Sequence, residues 1–381
     1  MKKLVLALCL TANCVVFAQN YTVNLGVDTI SPDKKAVAEL WFNYLKSNPD
    51  SLYDNPFWNE EEKQQYKGFD FLNSEGYISP SLYYFYLNNK ILSISNFQDG
   101  YLVRSVFYYQ NDFTVFAIVY VVAKKENGKF VLANYLPYYT KDWQHIKTEF
   151  VNYVVNPNHI FDENKVNDAN IFLRKLYNTF DIPHENITYF IGENCDKTFN
   201  MIGFDYIIGE GDNNDCGHFD EKNNFIYADS FVGENHKHEF TRLLNKYFPN
   251  AHYFFLNGLS AYWSENSAHF GKDAFYHIKR INEFLKKNPQ IDLNNITDGK
   301  TTFMDYETEP TYFYGALFVD YILRNGGIER LKEVLNTKIS DDDFENFIEK
   351  ELNIPPKTLN NYIRNKIQEI VDTGKFDVVP M

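Results

Sequence analysis

The sequence predicts an α+β protein in two parts, and three observations lead to that prediction. One helical pattern followed by strand-like runs occupies the first part of the chain. Short turns rich in Asn, Asp and Gly separate those runs. Farther on, apolar residues recur at helical spacing. We therefore expect an N-terminal helix with a curved antiparallel sheet, followed by a mainly helical domain with a small sheet.

The N-terminal 18 residues have the layout of a cleavable secretory signal. Lys2 and Lys3 precede an apolar stretch over residues 4–17, and the small residue Ala18 precedes Gln19. No later segment holds the roughly 20 uninterrupted apolar residues needed to cross a bilayer. We therefore expect residues 1–18 to be removed and the product to be exported, to the periplasm or outside the cell, without a membrane span.

The first domain is expected over residues 19–155. Apolar spacing predicts a helix over residues 31–47. Runs rich in β-branched and aromatic residues predict strands at 91–97, 101–109, 113–123 and 130–135. In this order of elements alone, the segment resembles the NTF2-like and cystatin-like folds.

The second domain is expected over residues 168–381, after a linker at 156–167. The linker is polar and contains Pro157. Helical spacing begins at residue 169, and a strand is expected at 224–230. A further helix is expected to open near Asn235 and to end before Pro249, because proline cannot continue a helix.

That helix carries the sequence His238-Glu239-Phe240-Thr241-Arg242, which is an HExxH motif with arginine in place of its last histidine. Zinc hydrolases hold the metal with two histidines one helical turn apart and leave the glutamate free to polarise water. Helical spacing brings His238, Glu239 and Arg242 towards one cleft. The motif therefore has the layout of a peptidase site without its second metal ligand.

Two later segments extend the similarity. Residues 253–263 contain Asn257 before Gly258, and residues 312–323 contain the pair Tyr314-Gly315. With the motif, they resemble the gluzincin (thermolysin-like) metallopeptidases over roughly residues 168–371. The resemblance implies that His238 matches the first zinc ligand, Glu239 the general base and Tyr314 an oxyanion-stabilising tyrosine. It also implies that Arg242 and Asn257 occupy the second and third ligand positions.

Physical reasoning argues against a bound metal at this motif. A guanidinium about 4 Å from a divalent cation is repelled by roughly 8 kcal/mol at an effective dielectric near 20. Arginine cannot lose its proton at ordinary pH. We therefore expect no zinc or other cofactor, and we expect Arg242 to form an ion pair with Glu239. This pair is either purely internal or able to receive a carboxylate from a partner.

The expected function is that of an exported, non-catalytic gluzincin-like protein that binds a peptide or protein in the inherited cleft. One alternative is an active zinc metallopeptidase in which His236 or Glu265 joins His238. Another is a structural role with a filled cleft. The segment from Asp212 to His218 lacks a complete calcium motif and is expected to be a solvated turn.

Charge and cysteine content limit the partners and the redox chemistry. The net charge of −14 disfavours nucleic acids and anionic membrane surfaces, because like charges repel. Two cysteines, Cys195 and Cys216, lie outside the predicted signal. They could close a disulfide in an oxidising compartment or remain two unpaired thiols, and the sequence leaves both alternatives open.

Overall fold

The computed structural model describes residues 21–47, 55–72, 87–208, 216–264, 271–294, 296, 304, 305 and 307–381. The predicted signal at residues 1–18 and the alternative ligand Glu265 lie outside this part of the chain. Helices and two mixed sheets make up the fold, so the predicted α+β class is confirmed.

The first sheet contains the four strands predicted from the first part of the sequence. Its strands are β1 (Tyr21–Val23), β2 (Asn88–Phe97), β3 (Gly100–Tyr108), β4 (Val115–Glu126), β5 (Lys129–Ala133) and β9 (Phe204–Ile207). They run in the order β1-β2-β3-β4-β5, and β9 pairs with β4. Strands β2 to β5 form antiparallel pairs. Tight turns join them, and Gln98 and Asn127 adopt the left-handed conformation at φ 51° that such turns favour.

Two helices pack beside this sheet, α1 (Pro32–Leu45) and α2 (Glu60–Gln65). Trp41 of α1 is fully buried, and its indole nitrogen donates to Asn89 and Ser105 at 3.1 Å in each case. These bonds satisfy the one polar atom of a large apolar ring, which fixes the position of α1 on the sheet.

The second sheet has three central parallel strands with an antiparallel strand at each edge. Its strands are β6 (Gln144–Lys147), β7 (Val151–Val155), β8 (Ile187–Gly192), β10 (Gly217–Asp220) and β11 (Phe225–Asp229), in the order β10-β11-β8-β7-β6. The central strands are nearly continuously apolar, as expected for strands covered on both faces. Strand β10 thus lies at one edge of this sheet, next to the HExxR motif.

The two sheets divide differently from the predicted domain boundary. Strands β6 and β7 precede the predicted linker at residues 156–167 but belong to the second sheet. Strand β9 follows the linker but joins the first sheet. Helix α4 (Glu163–Phe180) begins inside the linker, where Asp162 caps it by accepting from the backbone NH of Asn164. The chain therefore passes from one sheet to the other more than once.

The remaining helices pack on the second sheet and on one another. They are α3 (Leu136–Tyr139), α5 (Cys195–Met201), α6 (Lys237–Thr241), α7 (Leu244–Tyr247), α8 (Tyr253–Tyr262), α9 (Ala274–Lys287), α10 (Pro310–Asn336), α11 (Phe344–Leu352) and α12 (Pro356–Thr373), with a 3-10 turn at Asp341–Asp343. Helix α10 is broken at Gly327, whose φ is 68°. None of the helices in the described residues combines the length and apolarity needed to cross a membrane.

Helices α8 and α10 cross at two glycines. A Cβ added to Gly258 would overlap the backbone of Gly315, and a Cβ added to Gly315 would lie 2.8 Å from the Cα of Gly258. Backbone atoms on both sides leave no flexible side chain to move aside. This crossing fixes α8, which carries Asn257, against α10, which carries Tyr312 and Tyr314.

Substitution of Gly315 by alanine is expected to lower the free energy of unfolding by about 2 kcal/mol, because the added methyl must separate two helices. Urea unfolding at equilibrium measures the change. The matched control is Gly26→Ala, where a Cβ would meet no atom within 4 Å, and we expect it to be neutral within about 0.5 kcal/mol. Equal effects of the two substitutions would contradict the tight crossing.

Candidate functional site

The HExxR motif lies on one helical turn, as the sequence predicts, but the helix is shorter than expected. The backbone NH of Arg242 donates to the carbonyl of His238 at 3.4 Å, so these residues are one turn apart. The NH of Leu243 then bonds to the carbonyl of Phe240, three residues back, which tightens the backbone. The predicted continuous helix is therefore divided into α6 and α7.

Glu239 and Arg242 form an ion pair in the structure. Nη1 of Arg242 lies 3.6 Å from Oε2 of Glu239, a distance of charge contact rather than of a hydrogen bond. The Glu239 side chain is 4% exposed, whereas that of Arg242 is 31% exposed. No described residue donates a hydrogen bond to Oε2 of Glu239. The guanidinium thus balances a buried carboxylate while it reaches the surface.

Arg242, together with nearby histidines when they are protonated, keeps Glu239 ionised. Burial raises its pKa, but the charges of Arg242, His238, His236 and His218 together lower it to about 2, from an ordinary value of 4.5. A carboxylate with so low a pKa is a weak base at neutral pH. Because a general base works best with a pKa near the working pH, this Glu239 is poorly suited to activating water.

Strand β10 covers the motif more closely than the sequence indicated. A Cβ at Gly217 would overlap the imidazole of His236 and lie 3.1 Å from Cγ of Glu239. His218 is buried in the same strand and stacks on Tyr227, with ring centroids 6.1 Å apart. The expectation of a solvated turn was therefore wrong for residues 217 and 218, and residues 212–215 lie outside the described chain. Four residues are too few for a strand to be identified by alternation.

Tyr312 is the tyrosine of α10 that lies beside His238 of the motif. Its ring centroid is 5.6 Å from that of His238. Tyr314, which the resemblance suggested, is 1% exposed and belongs to the hydrophobic core, where burial raises its pKa above the ordinary value. Side chains two positions apart on a helix point in nearly opposite directions, so Tyr312 contacts the motif whereas Tyr314 packs in the core.

A second buried acid fixes the segment before the motif. Glu234 is fully buried, and its Oε1 accepts from the backbone NH of Asp162 and lies 2.8 Å from Nε2 of His159. The hydroxyl of Tyr153 donates to the Glu234 carbonyl at 2.9 Å. The sequence analysis missed this anchor because its partners lie more than seventy residues away in the chain. It holds the start of α6 against α4 and the second sheet.

The side chains of the motif do not form a zinc-binding set. Among the described residues, no three ligand atoms from His218, His236, His238 and Glu239 lie within 4.8 Å of one another. A catalytic zinc site needs three protein ligands and an open position. Asn257 is partly exposed on α8 and offers a neutral amide where the resemblance requires a carboxylate. The described donors therefore do not fit the metal that a HExxH peptidase uses.

Cys195 and Cys216 form a disulfide, one of the two alternatives that the sequence left open. Their Cα atoms are 5.6 Å apart, within the usual range. Oδ2 of the buried Asp229 lies 3.3 Å from Sγ of Cys195 and 3.7 Å from Sγ of Cys216. Although these three residues are close enough to hold a metal, disulfide sulfurs offer no thiolate. The bond instead fastens the start of β10, beside Gly217, to α5.

Replacement of both cysteines by serine is expected to lower the free energy of unfolding by about 3 kcal/mol, because the bond closes a loop with a separation of 21 residues. Equilibrium unfolding of the oxidised protein and of the Cys195→Ser/Cys216→Ser variant measures the difference. A reducing agent should destabilise the parent protein by the same amount and leave the variant unchanged. Equal stability of parent and variant would contradict a structural disulfide.

Comparisons with known proteins identify no relative. No family model matches the sequence, and neither the curated proteins nor the solved structures include a significant match. The geometry described above therefore supplies the basis for a functional proposal.

Proposed function

We propose that this chain is an exported, non-catalytic member of the gluzincin metallopeptidase family that binds a peptide or protein segment beside the HExxR motif. The observation that carries the proposal is the ion pair between Glu239 and Arg242, with 3.6 Å between Oε2 and Nη1. A fixed cation occupies the position that the resemblance gives to a metal ligand. Under this proposal, the protein retains the peptide-binding cleft of the family but does not hydrolyse the bound peptide.

Two physical arguments support the absence of hydrolysis. Glu239, with a pKa of about 2, has little tendency to take a proton from water. The guanidinium of Arg242 also opposes any divalent cation near Glu239, because it carries a permanent positive charge. Neither argument depends on the identity of the partner.

Strand β10 and Arg242 support binding of an extended segment. Among the described strands, β10 pairs only with β11, so its other side is a sheet edge. Such edges accept extended peptides through main-chain hydrogen bonds. This strand lies against the ion pair, since a Cβ at Gly217 would lie 3.1 Å from Cγ of Glu239, the partner of Arg242. The side chain of Arg242 is 31% exposed, and a guanidinium is suited to receive a carboxylate from the bound segment.

The test uses fluorescein-labelled random hexapeptides with either a free or an amidated C-terminus. We expect the protein to bind the free-carboxylate pool without cleaving it and to bind the amidated pool more weakly. Arg242→Lys should weaken binding of the free-carboxylate pool about tenfold, because lysine cannot make the paired contacts of a guanidinium. Anisotropy reports binding, and mass spectrometry reports cleavage.

The matched control is Arg174→Lys, which alters a surface pair between Arg174 and Glu149. We expect it to bind both pools as the parent does. Chelator-sensitive cleavage would favour the alternative of an active zinc enzyme with His238 and either His236 or Glu265 as ligands. Failure of both pools to bind would favour the structural role with a filled cleft.

A further inference from the structure

A separate pocket of about 760 Å³ lies on the opposite side of the second sheet from α4. Strands β6, β7, β8 and β11 contribute lining residues, and so do residues 65–67, 136, 137, 140 and 141 from the first part of the chain. None of the residues of the HExxR motif is among its lining residues. Its volume lies within the usual range for small-molecule sites, roughly 300–1,000 Å³.

The pocket concentrates positive charge in an acidic protein. Its basic lining residues are Lys67, Lys141, His145, Lys147 and Lys222, and the described lining contains no aspartate or glutamate. The whole chain has 51 acidic residues against 37 lysines and arginines. In a concave site with one sign of charge, the low-dielectric walls strengthen the local field. The pocket therefore attracts anions although the protein as a whole repels them.

Aromatic and amide side chains complete the lining. Tyr66 and Phe225 meet edge to face with centroids 5.9 Å apart, and Phe190 meets Phe225 in the same manner at 5.4 Å. Asn152 of β7 adds an amide group on the sheet, whereas the amide of Asn224 is bound to Glu185 and Lys246. Apolar rings, an amide and lysines together suit a compact organic molecule that carries acidic groups, because each part of such a molecule finds a complementary partner.

The wall between the two sheets is fixed by hydrogen bonds. The side chain of Asn223 accepts from the backbone NH of Gly68 at 3.2 Å and donates to its carbonyl at 2.9 Å. Asp220 holds the same turn by accepting from the backbone NH groups of Lys222 and Asn223 at 3.0 and 3.2 Å. The turn that presents Lys222 is thus ordered, which lowers the entropic cost of binding.

We infer that this pocket binds a small organic polyanion, a ring that carries carboxylate or phosphate groups. A long polyanion such as a nucleic acid would extend beyond the lysines onto a surface with net charge −14, which would repel it. A small ligand avoids this repulsion because it contacts only the pocket. The site is independent of the HExxR motif, so its occupancy does not require the proposed peptide-binding function.

Calorimetric titration of the full chain with mellitate and with inositol hexakisphosphate tests this inference and separates carboxylate from phosphate ligands. At least one probe should bind with a Kd of about 100 µM or lower. Lys147→Glu/Lys222→Glu should weaken that binding about tenfold or more, because two attractive charges become repulsive. Uncharged myo-inositol should not bind.

The control is Lys129→Glu/Lys350→Glu, which changes the net charge equally at exposed positions outside the pocket lining. It should retain nearly all of the affinity, and unfolding curves should verify that both variants fold. The inference is overturned if neither probe binds, or if the pocket and control variants lose affinity equally, since the effect would then come from overall charge.

Discussion

Arg242→Gln is expected to lower the free energy of unfolding by about 4 kcal/mol at neutral pH, because it leaves the buried carboxylate of Glu239 without its main counter-charge. Equilibrium urea unfolding measures the loss. The substitution leaves Glu239, the buried member of the pair, and a neutral glutamine cannot balance the charge of its carboxylate. We therefore expect a much larger effect than at an exposed ion pair.

The loss should depend on pH with a defined sign. In the parent protein the folded pKa of Glu239, about 2, lies below its ordinary value of 4.5. Its stabilising contribution, about 3 kcal/mol, is thus present above pH 4.5 and disappears as the pH falls towards 2. Without Arg242, burial raises the pKa of Glu239, so the variant gains stability relative to the parent on acidification. The difference between the two proteins should begin to narrow above pH 4.5, where the buried Glu239 of the variant takes up a proton, and should narrow further as the pH falls towards 2.

Two controls separate the ion pair from side-chain packing. Glu239→Gln/Arg242→Gln removes both charges and should recover much of the stability lost in the single variant. Arg174→Gln disrupts a pair whose side chains are about half exposed, and it should cost less than about 1 kcal/mol. A cost of the same small size for Arg242→Gln, with no dependence on pH, would mean that Glu239 does not rely on this cation.

Under the proposed gluzincin relationship, zinc ligands placed at positions 242 and 257 should create a zinc site. Arg242→His/Asn257→Glu replaces a repulsive cation and a neutral amide with two zinc ligands, which join His238 on α6. We expect the affinity for zinc to rise by about a thousandfold or more relative to the parent. Competition with a chromophoric chelator measures this change. The prediction depends on the proposed gluzincin relationship, since α6 and α8 must present these positions to one point.

The control for this prediction is the same double variant with His238→Gln added, which should lose most of the gained affinity. Removal of one ligand from a three-ligand site leaves too few donors for tight binding. Equal zinc affinity of the parent and the double variant would argue against a shared ligand geometry at residues 238, 242 and 257. That result would not bear on the ion pair between Glu239 and Arg242, which is observed independently.

Local signals allowed the α+β class and the central strands of the first sheet to be predicted. Helix α1 and strands β2 to β5 follow from apolar spacing and turn residues within short segments. The boundary between the sheets did not follow, because β6, β7 and β9 take their places through pairings with distant strands. The periodicity of apolar residues in one sequence does not indicate which distant strands will pair.

In the candidate site, too, local spacing predicted some features, whereas others depend on contacts between distant segments. The proximity of Glu239 and Arg242 follows from a spacing of three residues on a helix. The position of Gly217 against His236 could not be predicted, because it depends on how β10 lies across α6. The choice between Tyr312 and Tyr314 rested on a single Tyr-Gly pair, which does not fix the direction in which the helix faces.

The metal content of the native protein, measured by mass spectrometry after purification without chelator, tests the central claim most directly. We predict less than about a tenth of a zinc ion per chain, with no cleavage of the hexapeptide pools, because the Arg242 guanidinium beside Glu239 repels a divalent cation and, under the proposed gluzincin relationship, stands at a ligand position. One tightly bound zinc per chain, with proteolysis that Glu239→Gln abolishes, would contradict this account.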